Sequence, residues 1–215
     1  MGRPASLSRD RIEAAAAQIV EAEGVDALSA RRLGSELGCD PSALYRHFAD
    51  MDDLRRAVGD RMLAGVRIAA RTGEPWDRTV RRICIDLRRT LLTHRRLAGL
   101  VQGAPTRLPN EMRITEALLA ALLRSGLEPA AAAGAYHALI ELTIGSAAID
   151  ADVAAQGTRA AAGTYRTWRN DYRRLEPQQF PALTAVADHL YRGSAADRFE
   201  RALDALLASL APLAP

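Results

Sequence analysis

Apolar residues recur every three or four positions along most of the chain, which is the spacing of amphipathic helices. The first such stretch follows Ser8, a residue type suited to an N-cap, and stops at Gly24. Its apolar stripe consists of Ile12, Ala15, Ala16, Ile19 and Val20. No segment of the sequence alternates with the period of two that a half-buried strand requires. The pattern therefore predicts an all-α protein.

Three shorter helices are predicted next, and each has its own start signal. These signals are Ser29, the pair Asp40-Pro41, and Asp50 with Asp53 three residues later. The second helix ends at Gly38, and the fourth is expected to run to about Ala70. The apolar residues that face inward from the second and third helices are Leu33, Leu37, Leu44 and Phe48.

The helices become longer after residue 74. Their predicted ranges are 75–93, 95–102, 108–125, 129–153, 178–191 and 195–210. Residues 156–177 begin as a polar, alanine-rich linker and continue as "TYRTWRNDYRRL", for which the pattern leaves helix or loop open. The final helix starts at a capping box, Ser194 with Asp197, and its broad apolar stripe packs either on the chain's own core or on a symmetric partner.

Composition narrows the class of protein. The chain has 215 residues, of which 48% are hydrophobic and 26% charged, as in ordinary globular proteins. No window holds the roughly 18 consecutive apolar residues of a membrane span, and the start, "MGRPASLSRDR", lacks an apolar signal core. Cys39 and Cys84 form neither a disulfide framework nor a metal-ligand spacing. We expect a cytoplasmic protein with no membrane attachment, metal or cofactor.

Charged residues are unevenly distributed along the chain, and arginine carries the positive charge. All 29 basic residues are arginines, and the net charge is +3. The planar guanidinium suits phosphates and guanine edges, although a GC-rich coding bias would also explain both the arginine and the abundant alanine. Residues 1–60 hold 8 arginines and 11 acidic residues, so they are net negative, whereas residues 61–100 are net positive. If the N-terminal part binds DNA, the placement of single arginines must matter more than bulk charge.

The run "GCDPSALYRHF", residues 38–48, places several hydrogen-bonding side chains beside a sharp turn. Two short helices that meet at a glycine follow the plan of a helix-turn-helix, whose second helix enters the major groove of DNA. Ser42 and Ala43 are small enough for close approach, and Tyr45, Arg46 and His47 offer contacts to phosphates or bases. An ordinary helical hairpin with a solvated polar face would show the same pattern.

The span "LSARRLGSELGCDPSALYRHFADMDDL", residues 28–54, resembles the DNA-binding domain of the tetracycline-repressor (TetR) family of bacterial regulators. With the lead-in "LSRDRIEAAAAQIVEAEGVDALS", the resemblance covers about residues 7–58. The segments "LLTHRRLAGLV", "LLRSGLEP" and "RFERALDALLASL" are more weakly similar to the regulatory domain of the tetracycline-repressor subgroup. The resemblance implies a three-helix DNA-binding domain at 1–50, a linking helix at 51–70, and a larger helical-bundle domain for effector binding and dimerisation at 51–215.

The resemblance also implies roles for single residues. Arg31 would reach a base or phosphate, Ser42 and Ala43 would line the DNA side of the recognition helix, and Tyr45 and His47 would contact the backbone. Arg46 stands where family members vary, so it is a candidate specificity residue. The family usually has a lysine where this chain has Met51, and the missing phosphate contact would be compensated by Arg3, Arg9 or Arg32. We therefore expect weaker nonspecific binding than in a lysine-bearing relative.

For the remaining chain, the resemblance implies a homodimer built from helices 129–153 and 195–210, with two recognition helices roughly 34 Å apart on a near-palindromic operator. The candidate dimer residues are Ile140, Ile144, Phe199, Leu203, Leu206 and Leu210. An unidentified small-molecule effector would release the DNA. The candidate effector residues are His94, Gln102, Met112, His137, Glu141 and Trp168. A tetracycline–magnesium effector is not expected, because no histidine stands near Gln102, where the tetracycline repressor has its metal ligand.

Three other functions compete with this one. A helical enzyme is disfavoured because the sequence shows no phosphate-binding loop, catalytic triad or metal constellation. A thiol-responsive regulator using Cys39 and Cys84 remains an alternative, as does a helical dimerisation module that binds no nucleic acid. Repression of transcription is the default expected from the family.

Overall fold

The computed structural model describes residues 7–69 and 71–210, and the regular structure of this part is entirely helical. Its α-helices are α1 (Arg9–Glu23), α2 (Ala30–Leu37), α3 (Met51–Leu63), α4 (Trp76–Thr93), α5 (Arg95–Gln102), α6 (Pro109–Arg124), α7 (Pro129–Ala155), α8 (Thr158–Arg173), α9 (Pro181–Val186) and α10 (Ala195–Leu210). Two 3₁₀ segments, Val25–Ala27 and Pro41–Arg46, lie between the first helices. Within the described residues, no helix is both long and apolar enough to cross a bilayer.

The chain divides into two compact units. The first unit consists of Met1–Thr72 and Arg89–Ala120, and the second consists of Gly73–Arg88 and Ala121–Pro215. Helices α4 and α6 each contribute residues to both units.

In the first unit, α3 packs most extensively on α5, and α1 packs on α2, α3 and α5. Gly59 lies where α3 closely approaches α5, because a Cβ atom there would lie 2.8 Å from Val101 Cγ1. The apolar stripe of α1 is buried as the sequence predicts, and Leu33, Leu44 and Phe48 join it. Leu37 is only half-buried, which corrects its inward assignment. This core fixes α1, α2, the Pro41–Arg46 segment and α3 in one arrangement.

In the second unit, α7 packs on α8 and α10. One face of α7 is buried at regular helical spacing, from Ala132 through Leu139 and Thr143 to Val153. The stripe of α10 meets this core through Phe199, Leu203, Leu207 and Leu210.

The local start signals are confirmed. Each capping side chain accepts a hydrogen bond from a backbone N–H in the first turn of its helix, which satisfies an otherwise unpaired donor. The pairs are Ser8 with Arg11, Ser29 with Arg32, Asp50 with Asp53, and Ser194 with Asp197. The predicted "TYRTWRNDYRRL" segment is helical and forms most of α8.

The fourth predicted helix ends earlier than expected. Helix α3 stops at Leu63, and Ala70, its predicted end, lies outside the described residues. The carbonyls of Leu63, Ala64 and Val66 accept hydrogen bonds from the Arg113 guanidinium. Arg113, which lies on another helix, thus caps the end of α3. The apolar pattern of the sequence continues to Val66, but the helix does not.

The predicted helix 178–191 is also shorter. Helix α9 covers only Pro181–Val186, and turns follow it. Tyr191 has a backbone φ of +50°, a left-handed conformation that a helix cannot contain. The Arg169 guanidinium donates to the Tyr191 carbonyl at 2.7 Å, and this bond to α8 holds the turn in place.

Candidate nucleic-acid interface and effector region

The turn before the Pro41–Arg46 segment is fixed by backbone geometry. Gly38 adopts a left-handed conformation (φ 65°, ψ 37°), and the next residue donates its N–H to the Gly34 carbonyl at 3.0 Å. Asp40 then caps the 3₁₀ segment, with its Oδ1 accepting from Ser42 N at 2.8 Å. Hydrogen bonds from Ser42 hold the pKa of the Asp40 carboxyl below its usual value. The short segment predicted from the sequence is present, with 3₁₀ rather than α geometry.

Helix α2 approaches this turn closely at Gly34, so that an added Cβ atom would be tightly packed. A Cβ atom on Gly34 would lie 3.0 Å from the Cys39 carbonyl oxygen and 3.2 Å from Pro41 Cγ. We call Pro41–Arg46 the recognition segment, and its position relative to α2 therefore depends on Gly34. Sequence reasoning missed this residue, although a glycine inside a predicted helix is itself a sign of close packing.

The recognition segment separates its apolar and polar residues cleanly. Leu44 is buried in the core of the first unit, and so is Phe48, which follows the segment. Ser42, Tyr45 and Arg46 are exposed, with 49% of Tyr45 accessible. The two other candidates, Ala43 and His47, are half-buried. Four of the five candidates thus lie on a short segment, His47 directly follows it, and two buried apolar residues anchor it.

Ion pairing distinguishes the arginines of this region. Arg55, Arg56 and Arg61 are each paired with an aspartate. Arg31 and Arg46 are exposed, and within the described part of the chain neither makes a side-chain hydrogen bond or ion pair. Several acidic residues of the N-terminal region are thus paired with other arginines, while Arg46 in the segment Pro41–Arg46 and Arg31 in α2 make no ion pair in the described part of the chain.

Arg32 and Arg9 have other partners. Arg32 binds Glu23 at 2.7 Å and Glu36 at 2.8 Å, and these hydrogen bonds raise the pKa of the guanidinium further above its usual value. Arg9 donates to the His47 carbonyl at 3.2 Å, and its guanidinium lies 4.4 Å from the centre of the Phe48 ring. Arg9 thus braces the end of the recognition segment from α1. The third compensating residue proposed from sequence, Arg3, lies outside the described residues.

Comparison with known proteins decides the family. Residues 12–58 match the model of the "Bacterial regulatory proteins, tetR family", and residues 70–213 match the "Tetracyclin repressor-like, C-terminal domain". An HTH-type transcriptional regulator of Saccharopolyspora erythraea is 29% identical, over 82% of this chain and 73% of its own. The crystal structure of Streptomyces coelicolor ActR in complex with actinorhodin is 30% identical, with a TM-score of 0.85 over 98% of this chain and 100% of its own. The tetracycline repressor protein class E of Escherichia coli is 28% identical, over 66% of this chain and 68% of its own.

The chain belongs to the TetR family. It is a DNA-binding transcriptional regulator with an N-terminal helix-turn-helix and a C-terminal helical region, and it is not an enzyme. The family and the all-α fold expected from the sequence are confirmed.

The six candidate effector residues of this TetR-family chain do not converge. His94 Nδ1 lies 2.7 Å from Glu21 Oε1, so this side chain joins α5 to α1 rather than facing a cavity. Gln102 and Met112 are exposed in the first unit, whereas His137 and Glu141 are exposed one turn apart on α7 in the second. Two described grooves, of about 500 and 510 Å³, are lined by none of the six residues.

The sixth candidate, Trp168, belongs to an aromatic cluster in the second unit. The cluster consists of Tyr165, Trp168 and Tyr172 on one face of α8 together with Tyr191, and it holds four of the chain's ten aromatic residues. The Tyr191 ring is nearly parallel to those of Tyr165 and Tyr172, at centroid distances of 5.9 and 6.1 Å. The guanidinium of Arg198 lies 4.1 Å from the Tyr165 ring centre. The spacing of three, then four residues in "YRTWRNDY" indicates a shared helix face, and this signal was missed.

A buried polar network lies beside the aromatic cluster. Asp150 accepts from Arg88 at 2.6 Å, from Tyr165 at 3.3 Å and from Arg198 at 3.5 Å, so one carboxylate links α4, α7, α8 and α10. Asp150 and Arg88 are buried. Within the described residues, no group of three or more histidine, cysteine or acidic residues could hold a metal ion.

The candidate dimer residues fall into two groups. Phe199, Leu203 and Leu210 are buried in the chain's own core, which corrects their assignment to an outward interface: α10 turns its large apolar residues towards α7. Ile140, Ile144 and Leu206 keep part of their surface accessible. Ile149, which the sequence analysis did not single out, is 81% exposed on α7.

The two cysteines differ in environment. Cys39 is half-buried in the turn of the helix-turn-helix, and Cys84 is fully buried in the second unit. Burial raises the pKa of the Cys84 thiol to about 11, and a hydrogen bond with Thr143 opposes this shift only in part. Cys84 is therefore a neutral thiol at physiological pH, the form that does not act as a nucleophile.

Proposed function

We propose that this TetR-family regulator acts in the cytoplasm as a homodimeric repressor that binds a near-palindromic operator and releases it when a small organic molecule binds its C-terminal region. The observation that carries the proposal is the recognition segment: Tyr45 and Arg46 are exposed there and Arg31 is exposed nearby, while neighbouring arginines are paired with acidic residues.

In the DNA complex, the polar face of the segment Pro41–Arg46 lies in the major groove. Ser42 and Ala43 allow the backbone to approach the DNA, and Tyr45 and His47 contact phosphates. Arg46 reads a base edge, for which the guanidinium fork is suited, and Arg31 contacts a base or phosphate from the start of α2. Arg32 supports this surface indirectly, since its ion pair with Glu23 holds the end of α1 beside α2 and its pair with Glu36 lies within α2.

Dimerisation is supported by the outer surface of α7. A helix that is apolar on both faces is normally buried on both. In α7 the inward face packs within the unit, yet Ile149 is largely exposed, and Ile140 and Ile144 are partly exposed. A second copy covering α7 and the accessible side of α10, including Leu206, would remove this apolar surface from water.

Effector binding is supported by the ligand complex of ActR, which contains actinorhodin. In this chain, the aromatic cluster around Trp168 and Tyr191 offers broad flat surfaces for a planar organic molecule. An effector shifts the protein only by binding the DNA-free state more tightly, with a typical coupling of about 1–3 kcal/mol.

Selection of DNA fragments from a random pool tests the proposal. The selected sites should contain two similar half-sites about one helical turn apart, occupied by two chains. Selection of single half-sites occupied by one chain would contradict the dimer, and the absence of any enriched sequence would contradict operator recognition. A screen of planar aromatic compounds against the selected complex then tests effector release.

A further inference from the structure

A buried carboxylate in the first unit has no role in the proposed DNA contacts. Asp60, near the end of α3, is 5% exposed. Its two oxygens accept four hydrogen bonds, from Thr106 Oγ1 at 2.9 Å, Asn110 Nδ2 at 2.9 Å, Asn110 N at 3.1 Å and Glu111 N at 2.9 Å. Two of these donors are backbone N–H groups in the first turn of α6. Asp60 is therefore an N-terminal cap for α6, supplied by α3.

Arg113 provides the matching contact in the opposite direction. Its guanidinium, on α6, donates to the carbonyls of Leu63, Ala64 and Val66 at 2.8 to 2.9 Å. These carbonyls lie in the last turn of α3 and just beyond it, where helical hydrogen bonding ends, although the Leu63 carbonyl also accepts from Val66 N at 3.0 Å. Each helix thus supplies the charged group that caps the other: an anion at the N-terminus of α6 and a cation at the C-terminus of α3, both favoured by the helix dipoles.

The reciprocal cap restricts how α3 can move. Apolar packing between helices tolerates sliding, whereas a buried carboxylate with four directed donors loses hydrogen bonds on any displacement. Helix α3 is in turn joined to the residues that follow the recognition segment, because Asp53 Oδ2 accepts from Ala49 N, and Leu54 of α3 is buried in the first unit, as are Leu44 and Phe48. The orientation of the recognition segment is therefore tied to α6.

We propose that Asp60 and Arg113 are positioning residues that set the separation of the two recognition segments in the dimer, by locking α3 to α6. This inference rests on the proposed homodimer and its operator. Neither residue touches DNA; both act on operator affinity through the orientation of α3.

Distance measurement by pulsed electron paramagnetic resonance tests the inference in the full chain. In a Cys84→Ala background, Cys39 is the single thiol, and it lies in the turn before the recognition segment. A spin label on Cys39 of each protomer reports the separation of the two segments without DNA. Asp60→Asn keeps the shape of the side chain but replaces one acceptor oxygen by an NH₂ group, which cannot accept from the surrounding donors. Arg113→Gln removes the guanidinium that caps α3. Asp52→Asn changes the exposed partner of Arg55 on the same helix and is the matched control.

We expect a single narrow distance distribution for the parent protein and the Asp52→Asn control. Each of the two cap variants should at least double the width of the distribution and weaken binding to the selected operator at least tenfold, measured on protein shown by circular dichroism to be folded. Thr106→Ala removes one of the four bonds and tests the same point if a cap variant does not fold; it should broaden the distribution by a smaller factor. Unchanged width and affinity in the folded variants would overturn the inference. A parent protein without any inter-label distance would instead contradict the proposed dimer.

Discussion

At the scale of single residues, function in the helix-turn-helix depends on which arginines lack partners. The N-terminal region is net negative, yet its carboxylates are largely used in ion pairs and helix caps. Arg31 and Arg46 make no ion pair in the described part of the chain, so their guanidinium groups are exposed and available to DNA. Net charge counted along the sequence could not show this, since it depends on pairing in three dimensions.

Replacement of Arg46 by alanine should weaken operator binding by about 1–3 kcal/mol, or about 5- to 160-fold, and relax selectivity at one base pair of each half-site. Fluorescence anisotropy with the selected operator and its single-base variants measures both effects. Arg61→Ala is the matched control, because Arg61 is paired with Asp10, and it should change affinity by less than about twofold. Equal losses for both variants would show that bulk charge, rather than Arg46 itself, governs recognition.

The cysteines provide a second test at the residue scale. At pH 8 iodoacetamide should modify Cys39 in the folded protein and should reach Cys84 only after unfolding, as measured by mass spectrometry of peptides. Since burial raises the pKa of Cys84 from 9.0 to about 11, its contribution to folding stability is complete below pH 9 and declines as the pH rises towards 11. Rapid labelling of Cys84 in folded protein would contradict this assignment. Diamide that abolished DNA binding only while Cys39 was present would support the thiol-responsive alternative.

At the scale of elements, the position of the recognition segment depends on its contact with α2. Gly34 lies where a methyl group would press on the Cys39 carbonyl and on Pro41. A larger residue must therefore shift either α2 or the recognition segment.

Gly34→Ala should destabilise the protein despite alanine's better helix propensity. The gain of about 1 kcal/mol from propensity is opposed by an overpacking cost of about 1–3 kcal/mol, and the displaced segment should also bind the operator more weakly. Gly163→Ala in α8 is the control, because no neighbouring atom lies within 4 Å of the added carbon, and it should stabilise the fold. Urea unfolding and operator binding are the measurements. A Gly34→Ala variant with unchanged affinity and higher stability would show that the contact does not position the segment.

Helix starts could be predicted from sequence because they are local. Ser8, Ser29, Asp50 and Ser194 each bond to a backbone group three residues away, so sequence spacing contains the whole interaction. Helix ends that depend on distant residues could not be predicted. The end of α3 involves Arg113, and the turn after α9 involves the bond from Arg169.

At the scale of the whole molecule, the proposed dimer places a partner chain against α7. The buried face of this helix could be derived from its periodicity, but the burial of Phe199, Leu203 and Leu210 within the chain could not, because an apolar stripe does not reveal which surface covers it. Because Ile149 is largely exposed on α7, a substitution there tests the proposed dimer most directly.

Ile149→Asp should dissociate the dimer, because it places an unpaired charge in an apolar interface. Light scattering coupled to size exclusion should show the mass of one chain at concentrations where the parent shows two. Leu123→Asp, at an exposed apolar residue of α6, is the control and should remain dimeric. Retention of the dimer by Ile149→Asp would exclude the outer face of α7 as its centre.

The double variant Tyr45→Ala/His47→Ala tests the central claim most directly. The claim is that Tyr45 and His47 contact phosphates and so hold the recognition segment on the DNA. Its mass and its affinity for the operator selected by the parent protein are measured on one preparation. We predict a folded dimer whose operator affinity is lower by at least about 100-fold, since two phosphate contacts in each half-site are lost. A dimer of the double variant that bound the same operator with the parent's affinity would contradict the account.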